Sequence, residues 1–183
     1  MRQVSIHRQI ADLVRGLPAD IHHHSAALDW LASTDDIWRR EKPRTPDPHL
    51  VAYVVPVDRM TGRVLLADHR LSGLRLPPGG HVEPGEHPVD TVRRETVEEL
   101  GVEARLDGDR PFFLTMTETV GDASTRHTDV SLWFSIALGE NDPVTPDPRE
   151  FDGVRWWSRA QLEAEPADRF DPWMREAVGR LGL

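Results

Sequence analysis

The stretch from Gly80 to Val102 limits what this chain can fold into more than any other. It follows two prolines and opens with a glycine, then continues as a polar segment with helical periodicity. Three of its glutamates, Glu95, Glu98 and Glu99, are spaced i, i+3, i+4 and therefore project from one face of a helix. Like charges at this spacing repel one another, so the pattern is typical of a helix that holds a cation. Hard oxygen ligands of this kind suit Mg²⁺ or Mn²⁺.

The spacing of this stretch resembles the signature of the Nudix family, G-x5-E-x7-R-E-U-x-E-E-x-G-U, in which U is a bulky aliphatic residue. The matching positions are Gly80, Glu86, Arg94, Glu95, Glu98, Glu99, Gly101 and Val102. Thr96 is the one departure, because the family prefers an aliphatic residue there. A threonine keeps one methyl group for packing, so this departure weakens a core contact more than the chemistry.

The resemblance covers about residues 48–165 and implies an α/β fold, the α/β/α sandwich of the Nudix family with a mixed sheet. Strands are expected at residues 49–57, 63–69, 74–76, 102–106, 111–119, 126–138 and 151–157. The helix of the signature is expected to begin near Pro88 and to end at Gly101. Later helices are expected to begin at Ser158, in a capping box, and at Asp171.

The face of the signature helix that packs into the core can be predicted from its apolar residues. Those residues are Val92, Thr96, Val97 and Leu100, which recur at helical spacing. The three glutamates of the same helix lie mostly off this stripe. We therefore expect the stripe to be buried and the carboxylates to lie away from it.

A proline-rich joint at residues 43–48 is the clearest boundary in the chain. We divide the chain there into an N-terminal helical extension, residues 1–44, and a Nudix domain with a C-terminal helix, residues 45–183. The resemblance does not reach the extension, and we attach no activity to it.

Three helices are expected in the extension. Gly16 ends the first, Asp20 caps the second, and a short third one carries Ile37 and Trp38. The two tryptophans of the extension, Trp30 and Trp38, would pack it onto the following domain or onto a second subunit. A homodimer is common in the family and is one expected partner.

Composition excludes several classes of protein. The formal net charge of −9 argues against a general binder of nucleic-acid polymers or of membrane surfaces. The absence of cysteine excludes disulfides, thiolate nucleophiles and cysteine metal sites. The N-terminus lacks the apolar core of a signal peptide and no run approaches a membrane span, so a cytoplasmic location is expected.

Carboxylates beside a glycine turn suit phosphoryl chemistry. A divalent ion held there can polarise a phosphoryl oxygen and lower the pKa of bound water, and a pyrophosphate linkage is the natural substrate. The resemblance implies the same reaction, in which water attacks a phosphorus of a nucleoside diphosphate derivative. The expected cofactor is Mg²⁺ or Mn²⁺, and the expected partner is a small nucleotide-type molecule. Elimination of more specialised family signatures leaves a nucleoside triphosphate among the substrates.

The resemblance also assigns roles, position by position. The residues that match metal ligands are Gly79, through its carbonyl, and Glu95, Glu98 and Glu99. Glu95 also matches a catalytic base, and Arg94 matches the residue that orients it. Glu86 matches a supporting carboxylate, and Gly80 permits the sharp backbone turn.

The general base is left open by the sequence. Family members take it from the helix or from a later loop, and Glu150 is our candidate from a later loop. Asp129 and Glu118 are the alternatives. Each of the three could equally be a solvated surface acid.

Four basic or imidazole side chains near the signature are candidate substrate-binding residues. His81 follows the glycine turn, and His127 opens a strand that can face the cleft. Arg70 and Arg75 precede the glycines and are candidates for phosphate contacts.

Two functions remain after this reasoning. The first is a metal-dependent pyrophosphohydrolase. The second is a catalytically inactive Nudix-fold module that senses a nucleotide. The intact set of Arg94, Glu95, Glu98 and Glu99 favours the first, because a pure sensor need not keep every acidic residue.

Overall fold

The computed structural model of the chain describes residues 4–42 and 44–183. The helices are α1 (Ile6–Arg15), α2 (His24–Ser33), α3 (Pro88–Leu100), α4 (Arg159–Ala164) and α5 (Met174–Arg180). The strands are β1 (His49–Asp58), β2 (Arg63–His69), β3 (Arg75–Leu76), β4 (Gly79–His81), β5 (Phe113–Glu118), β6 (Thr128–Ala137) and β7 (Phe151–Ser158). A short 3-10 turn, Ala167–Arg169, precedes α5.

One mixed sheet organises the molecule around β1. This strand pairs in parallel with β6 and antiparallel with β2 and β4. β5 lies on the far side of β6, while β3 and β7 both pair with β2. Helices pack on this sheet: α3 contacts β1 and β4, α2 contacts β5, and α4 contacts β7. The architecture is therefore the expected α/β/α sandwich with a mixed sheet.

Local sequence signals account well for α3 and α4. Pro88 occupies the first turn of α3, and Gly101 ends that helix in the left-handed conformation at φ 68°. Ser158 and Gln161 form the capping box that begins α4. These three boundaries confirm the predictions made from the sequence.

The buried face of α3 differs from the expected stripe. Val97 is 50% exposed, whereas Glu95 and Glu99 are only 8% and 4% exposed. The helix is rotated so that these two carboxylates face β4, where Gly80 leaves room for Glu95 and the Gly79 N–H donates to Glu99. The expectation that the glutamates lie off the buried face was therefore wrong for two of the three.

Two predicted elements are absent from the described chain. Residues 34–40 form no helix, because the segment lies against β1 and the Ile37 carbonyl accepts a hydrogen bond from the Leu50 N–H at 2.8 Å. Residues 102–106 form no strand, and only Leu106 makes an isolated bridge, to Ile136. In both places contacts with the sheet override the local pattern.

The core is continuous across the proline-rich joint. Ile10, Val14 and Leu31 of the first two helices are buried in the same apolar cluster as the sheet residues. The division into an extension and a domain stays a prediction. No helix in the described part of the chain is long and apolar enough to cross a membrane.

Candidate active site

The candidate active site forms where β4 passes beneath α3. β4 pairs with the middle of β1, with Gly79 opposite Tyr53 and Gly80 opposite Ala52. The Gly79 N–H donates a hydrogen bond to Glu99 Oε2 at 2.7 Å. A Cβ on Gly80 would overlap the carboxylate of Glu95. Gly80 therefore leaves the space that the Glu95 carboxylate occupies.

Arg94 holds the carboxylates of this region in fixed positions. Its Nε and one terminal nitrogen donate to the two oxygens of Glu86 at 3.1 and 3.0 Å. The other terminal nitrogen donates to Glu95 Oε1 at 2.7 Å and to Glu98 Oε2 at 3.4 Å. The guanidinium also donates to the His81 carbonyl at 3.2 Å, which ties α3 to β4.

Glu86 is anchored independently of Arg94. Its Oε2 accepts hydrogen bonds from the Thr91 hydroxyl at 2.8 Å and from the Glu83 N–H at 3.0 Å. Arg94 and these donors together lower the pKa of the Glu86 carboxyl, although burial acts to raise it. Glu86 is therefore an ionised support for the guanidinium at neutral pH.

The two buried carboxylates of α3 lie in an environment that disfavours their negative charge. Burial raises the pKa of Glu99 to about 9. The hydrogen bond from the Gly79 N–H opposes this shift, and the charges of Glu95 and Glu150 add to it. Burial also raises the pKa of Glu95, and Arg94 opposes that shift. Without a cation nearby, the site resists holding all of these groups ionised.

A later loop brings Glu150 to this cluster. The segment after β6 docks on the end of α3, where the Thr145 and Asp147 N–H groups donate to the carbonyls of Leu100 and Glu99 at 2.7 and 3.0 Å. Glu150 then lies close enough to act on the carboxyls of both Glu95 and Glu99. The loop thus places the candidate base beside the two buried carboxylates of α3.

The donor set at α3 fits a hard divalent cation. Carboxylate and carbonyl oxygens are the ligands of Mg²⁺ and Mn²⁺, and a cation would remove the penalty that raises the pKa of Glu99. Glu98 differs from its two neighbours, since its side chain is 57% exposed and turned towards Arg94. In the described residues, the glutamates of α3 do not form a converging group of three potential metal ligands.

The two candidate phosphate-binding arginines already have anionic or carbonyl partners. Arg70 pairs with Asp152 at 2.7 Å and donates to the Pro148 carbonyl at 2.6 Å. Arg75 pairs with Asp68 and with Glu165, at 3.3 and 3.4 Å. Their role in binding substrate stays a prediction.

The two predicted histidines lie together, in a cluster that the sequence reasoning did not find. His81 and His127 converge with His49 and Asp129, and four potential ligand atoms lie within 4.8 Å of one another. His49 was missed because the parallel pairing that sets it opposite Asp129 has no local signal. The sequence signal that could have found the cluster is a histidine at the start of one apolar strand and His-Thr-Asp at the start of another.

The alternative general bases are placed differently from Glu150. Asp129 belongs to this histidine cluster, where its Oδ1 lies 3.3 Å from the Nε2 atoms of His49 and His127. Glu118 has a side chain that is 64% exposed and lies 3.6 Å from Arg126. Of the three, Glu150 is the one that acts on the carboxyls of Glu95 and Glu99.

Comparison with known proteins agrees with this geometry. The model of the NUDIX domain matches residues 47–181. The chain is 31% identical over 127 residues to Nudix hydrolase 19, chloroplastic, of Arabidopsis thaliana, which covers 68% of this chain and 27% of that protein. It is 30% identical over 105 residues to the uncharacterized Nudix hydrolase orf19 of Rhodococcus erythropolis, which covers 56% of each. The matches thus span well under two thirds of these two relatives.

A third relative and two solved structures extend the comparison. Phosphatase NudJ of Escherichia coli K12 is 29% identical over 118 residues, covering 63% of this chain and 71% of that protein. The E. coli dihydroneopterin triphosphate pyrophosphohydrolase superposes with a TM-score of 0.58 at 22% identity, covering 72% of this chain and 92% of that one. A NUDIX-family hydrolase from Clostridium perfringens gives 0.54 at 22% identity, covering 74% and 99%. These structures share the fold.

Proposed function

Because this chain belongs to the Nudix family, we propose that it is a hydrolase that cleaves the pyrophosphate linkage of a nucleoside diphosphate derivative with the help of Mg²⁺ or Mn²⁺. The observation that carries this proposal is the burial of Glu95 and Glu99 against the glycines of β4. Such a pair of carboxylates costs stability unless a cation joins it. Selection for a cation site explains why that cost is tolerated.

The proposed ligands come from α3 and β4. Glu95, Glu98, Glu99 and the Gly79 carbonyl would hold the ion. When bound, the ion polarises a phosphoryl oxygen and neutralises charge that develops on the phosphate. Arg94 keeps the carboxylates oriented, because its guanidinium is held by Glu86 on the other side.

Glu150 is the proposed acceptor of a proton from the attacking water. It is delivered by a loop and stands outside the hydrogen bonds of Arg94, so it can move to the substrate. It also lies on the same side as Glu95 and Glu99, where the linkage would bind. Glu95 is the second candidate for this role, although its oxygen is engaged with Arg94 at 2.7 Å.

The sequence narrows the class of substrate further. A nucleoside triphosphate is one candidate, because no specialised family signature was found in the sequence. Arg70 and Arg75 remain proposed substrate contacts, whereas His81 and His127, predicted from the sequence as such contacts, join a cluster with His49 and Asp129. The homodimer and the cytoplasmic location likewise stay predictions.

The rival function is a nucleotide sensor without catalytic activity. The test is phosphate or pyrophosphate release from a panel of nucleoside di- and triphosphates and their derivatives, with Mg²⁺ and then with Mn²⁺. The wild type is measured beside Glu98→Gln. Glu163→Gln is the matched control, because Glu163 is 56% exposed and pairs with an arginine four residues earlier, as Glu98 does.

We expect turnover of one class of compound by the wild type and by Glu163→Gln, with a loss of at least about a hundredfold in Glu98→Gln. Equal activity of the two variants would contradict the assignment of Glu98 as a metal ligand. Tight nucleotide binding without turnover in either metal would favour the sensor. No binding at all would mean that the substrate is not a nucleotide.

A further inference from the structure

The histidine cluster on the sheet is separate from the glutamates of α3. It consists of His49 on β1, His81 on β4, His127 in the turn before β6, and Asp129 on β6. Its ligand atoms come from parts of the chain that only the sheet brings together. His49 is fully buried, and the side chains of His127 and Asp129 are 12% and 14% exposed.

The hydrogen bonds of two of these histidines fix where their lone pairs point. His49 Nδ1 lies 2.7 Å from the Pro46 carbonyl, and His127 Nδ1 lies 2.8 Å from the Thr125 carbonyl. A carbonyl oxygen only accepts, so each Nδ1 must carry the proton. In the neutral form of each ring, Nε2 then presents its lone pair to the centre of the cluster.

The atoms at the centre are close but do not satisfy one another. Asp129 Oδ1 lies 3.3 Å from His49 Nε2, 3.3 Å from His127 Nε2 and 3.9 Å from His81 Nε2. Yet within the described chain His49 Nε2, His81 Nε2 and Asp129 Oδ1 are buried without a hydrogen-bond partner. Buried polar atoms without a partner are rare and call for an explanation.

The distances from Asp129 Oδ1 to the three imidazoles are close to those of tetrahedral coordination, while the four ligand atoms together lie within 4.8 Å of one another. With bonds of about 2.0–2.1 Å to zinc, neighbouring ligand atoms of a tetrahedron are about 3.4 Å apart. The distances of 3.3, 3.3 and 3.9 Å from Asp129 Oδ1 are near this value. A metal-binding histidine typically donates its other N–H to a carbonyl or carboxylate, as His49 and His127 do here.

We propose that His49, His81, His127 and Asp129 bind one Zn²⁺ ion, in a site distinct from the Mg²⁺ or Mn²⁺ site at α3. Imidazole ligands favour zinc over magnesium, which prefers oxygen. Four protein ligands fill a tetrahedral site and leave no open position, so the role is structural. The ion would join β1, β4 and β6, next to Gly79 and Gly80 on β4.

One cationic side chain lies near the cluster. The Arg39 guanidinium acts on Asp129, but it forms no ion pair with it within 4.0 Å in the described residues.

The test uses the full chain, stripped with a chelator and returned to buffer with excess Mg²⁺, which occupies oxygen sites but not imidazole sites. Zn²⁺ is then titrated in competition with a chromophoric chelator, and Co²⁺ is added separately as a spectroscopic probe. We expect about one Zn²⁺ per chain, a rise in Tm on binding, and the strong visible absorption of tetrahedral Co²⁺. No zinc retained in the presence of Mg²⁺, or a weak octahedral cobalt spectrum, would overturn the proposal without any variant.

Variants then locate the ion. His127→Ala is expected to weaken zinc binding by more than about a hundredfold, since removing even an indirect support of a ligand costs about 10–100-fold. His7→Ala is the matched control, because His7 also bonds a carbonyl, at 3.0 Å, and lies 3.7 Å from an aspartate, but stands apart from the cluster. Glu98→Gln should keep full zinc affinity. Unchanged binding in His127→Ala, or loss in Glu98→Gln, would contradict the assignment.

Discussion

Replacement of Gly80 by alanine offers a direct test of how the backbone of β4 supports Glu95. An alanine Cβ at this position would lie 2.6 Å from the carboxyl carbon of Glu95. Carbon atoms in good contact are about 3.5–4.0 Å apart, so the carboxylate has to move by about 1 Å. It cannot move freely, because Glu95 is 8% exposed and is held by Arg94 at 2.7 Å.

The displacement should affect catalysis far more than folding. A catalytic group misplaced by about 1 Å can cost about a hundredfold in rate, which corresponds to about 2.7 kcal/mol of activation free energy. The free energy of unfolding should change less, because overpacking costs about 1–3 kcal/mol and the exchange of Gly for Ala returns about 0.4–1 kcal/mol from the unfolded chain.

The assay is kcat/KM on the substrate found in the panel, at several concentrations of Mg²⁺, together with Tm for each protein. Gly153→Ala on β7 is the control, because a Cβ there meets no atom within 4 Å. We expect Gly80→Ala to lose about a hundredfold in kcat/KM and Gly153→Ala to keep wild-type values. Wild-type activity of Gly80→Ala, with an unchanged dependence on Mg²⁺, would refute the placement of Glu95 in the site.

Three further predictions concern support, charge and packing. Glu86→Gln removes the anionic partner of Arg94, and kcat/KM should fall about 10–100-fold with the fold intact by circular dichroism; an unchanged rate would show that the arginine is held without it. Burial raises the pKa of Asp171 from its ordinary value of 3.8 to about 6. The stability that comes from its protonated form is therefore fully present below pH 3.8 and is lost as the pH rises through about 6. Asp171→Asn keeps the side-chain oxygen that accepts the Trp173 N–H in the turn before α5. It should unfold at higher denaturant than the wild type at pH 8, by up to about 3 kcal/mol, with the difference closing near pH 4; a constant difference would refute the assignment. Ile10→Ala should cost about 2–5 kcal/mol in urea unfolding, because Ile10 is fully buried in the shared core, whereas the partly buried Leu13→Ala should cost less; equal small effects would mean that α1 packs loosely.

The elements that the sequence predicted best are those whose signals are local. Pro88 and Gly101 bound α3 through their own backbone preferences, and Ser158 begins α4 through a bond to its near neighbour Gln161. The family signature adds the identities of the α3 glutamates. None of these inferences requires knowledge of which strands are neighbours.

The errors arose where distant contacts decide the conformation. Residues 34–40 and 102–106 follow the sheet instead of their own patterns. Glu95 occupies the space left by Gly80 on β4, and Glu99 accepts the Gly79 N–H. The periodicity of the helix alone does not reveal these contacts. His49 joined the histidine cluster through its parallel register with Asp129, for which no rule of local spacing exists.

The central position of β1 has a consequence for how this protein reaches its native state. The strand lies between β6, which is made much later by the ribosome, and β2 and β4, which follow it closely. Parallel pairing of strands that are far apart in sequence is slow, because the chain loses the entropy of closing a long loop before stabilising contacts form. A nascent chain that ends before residue 128 therefore exposes one apolar edge of β1. We expect folding to be completed only after synthesis of β6, with an interval in which that edge is open to aggregation or to a chaperone.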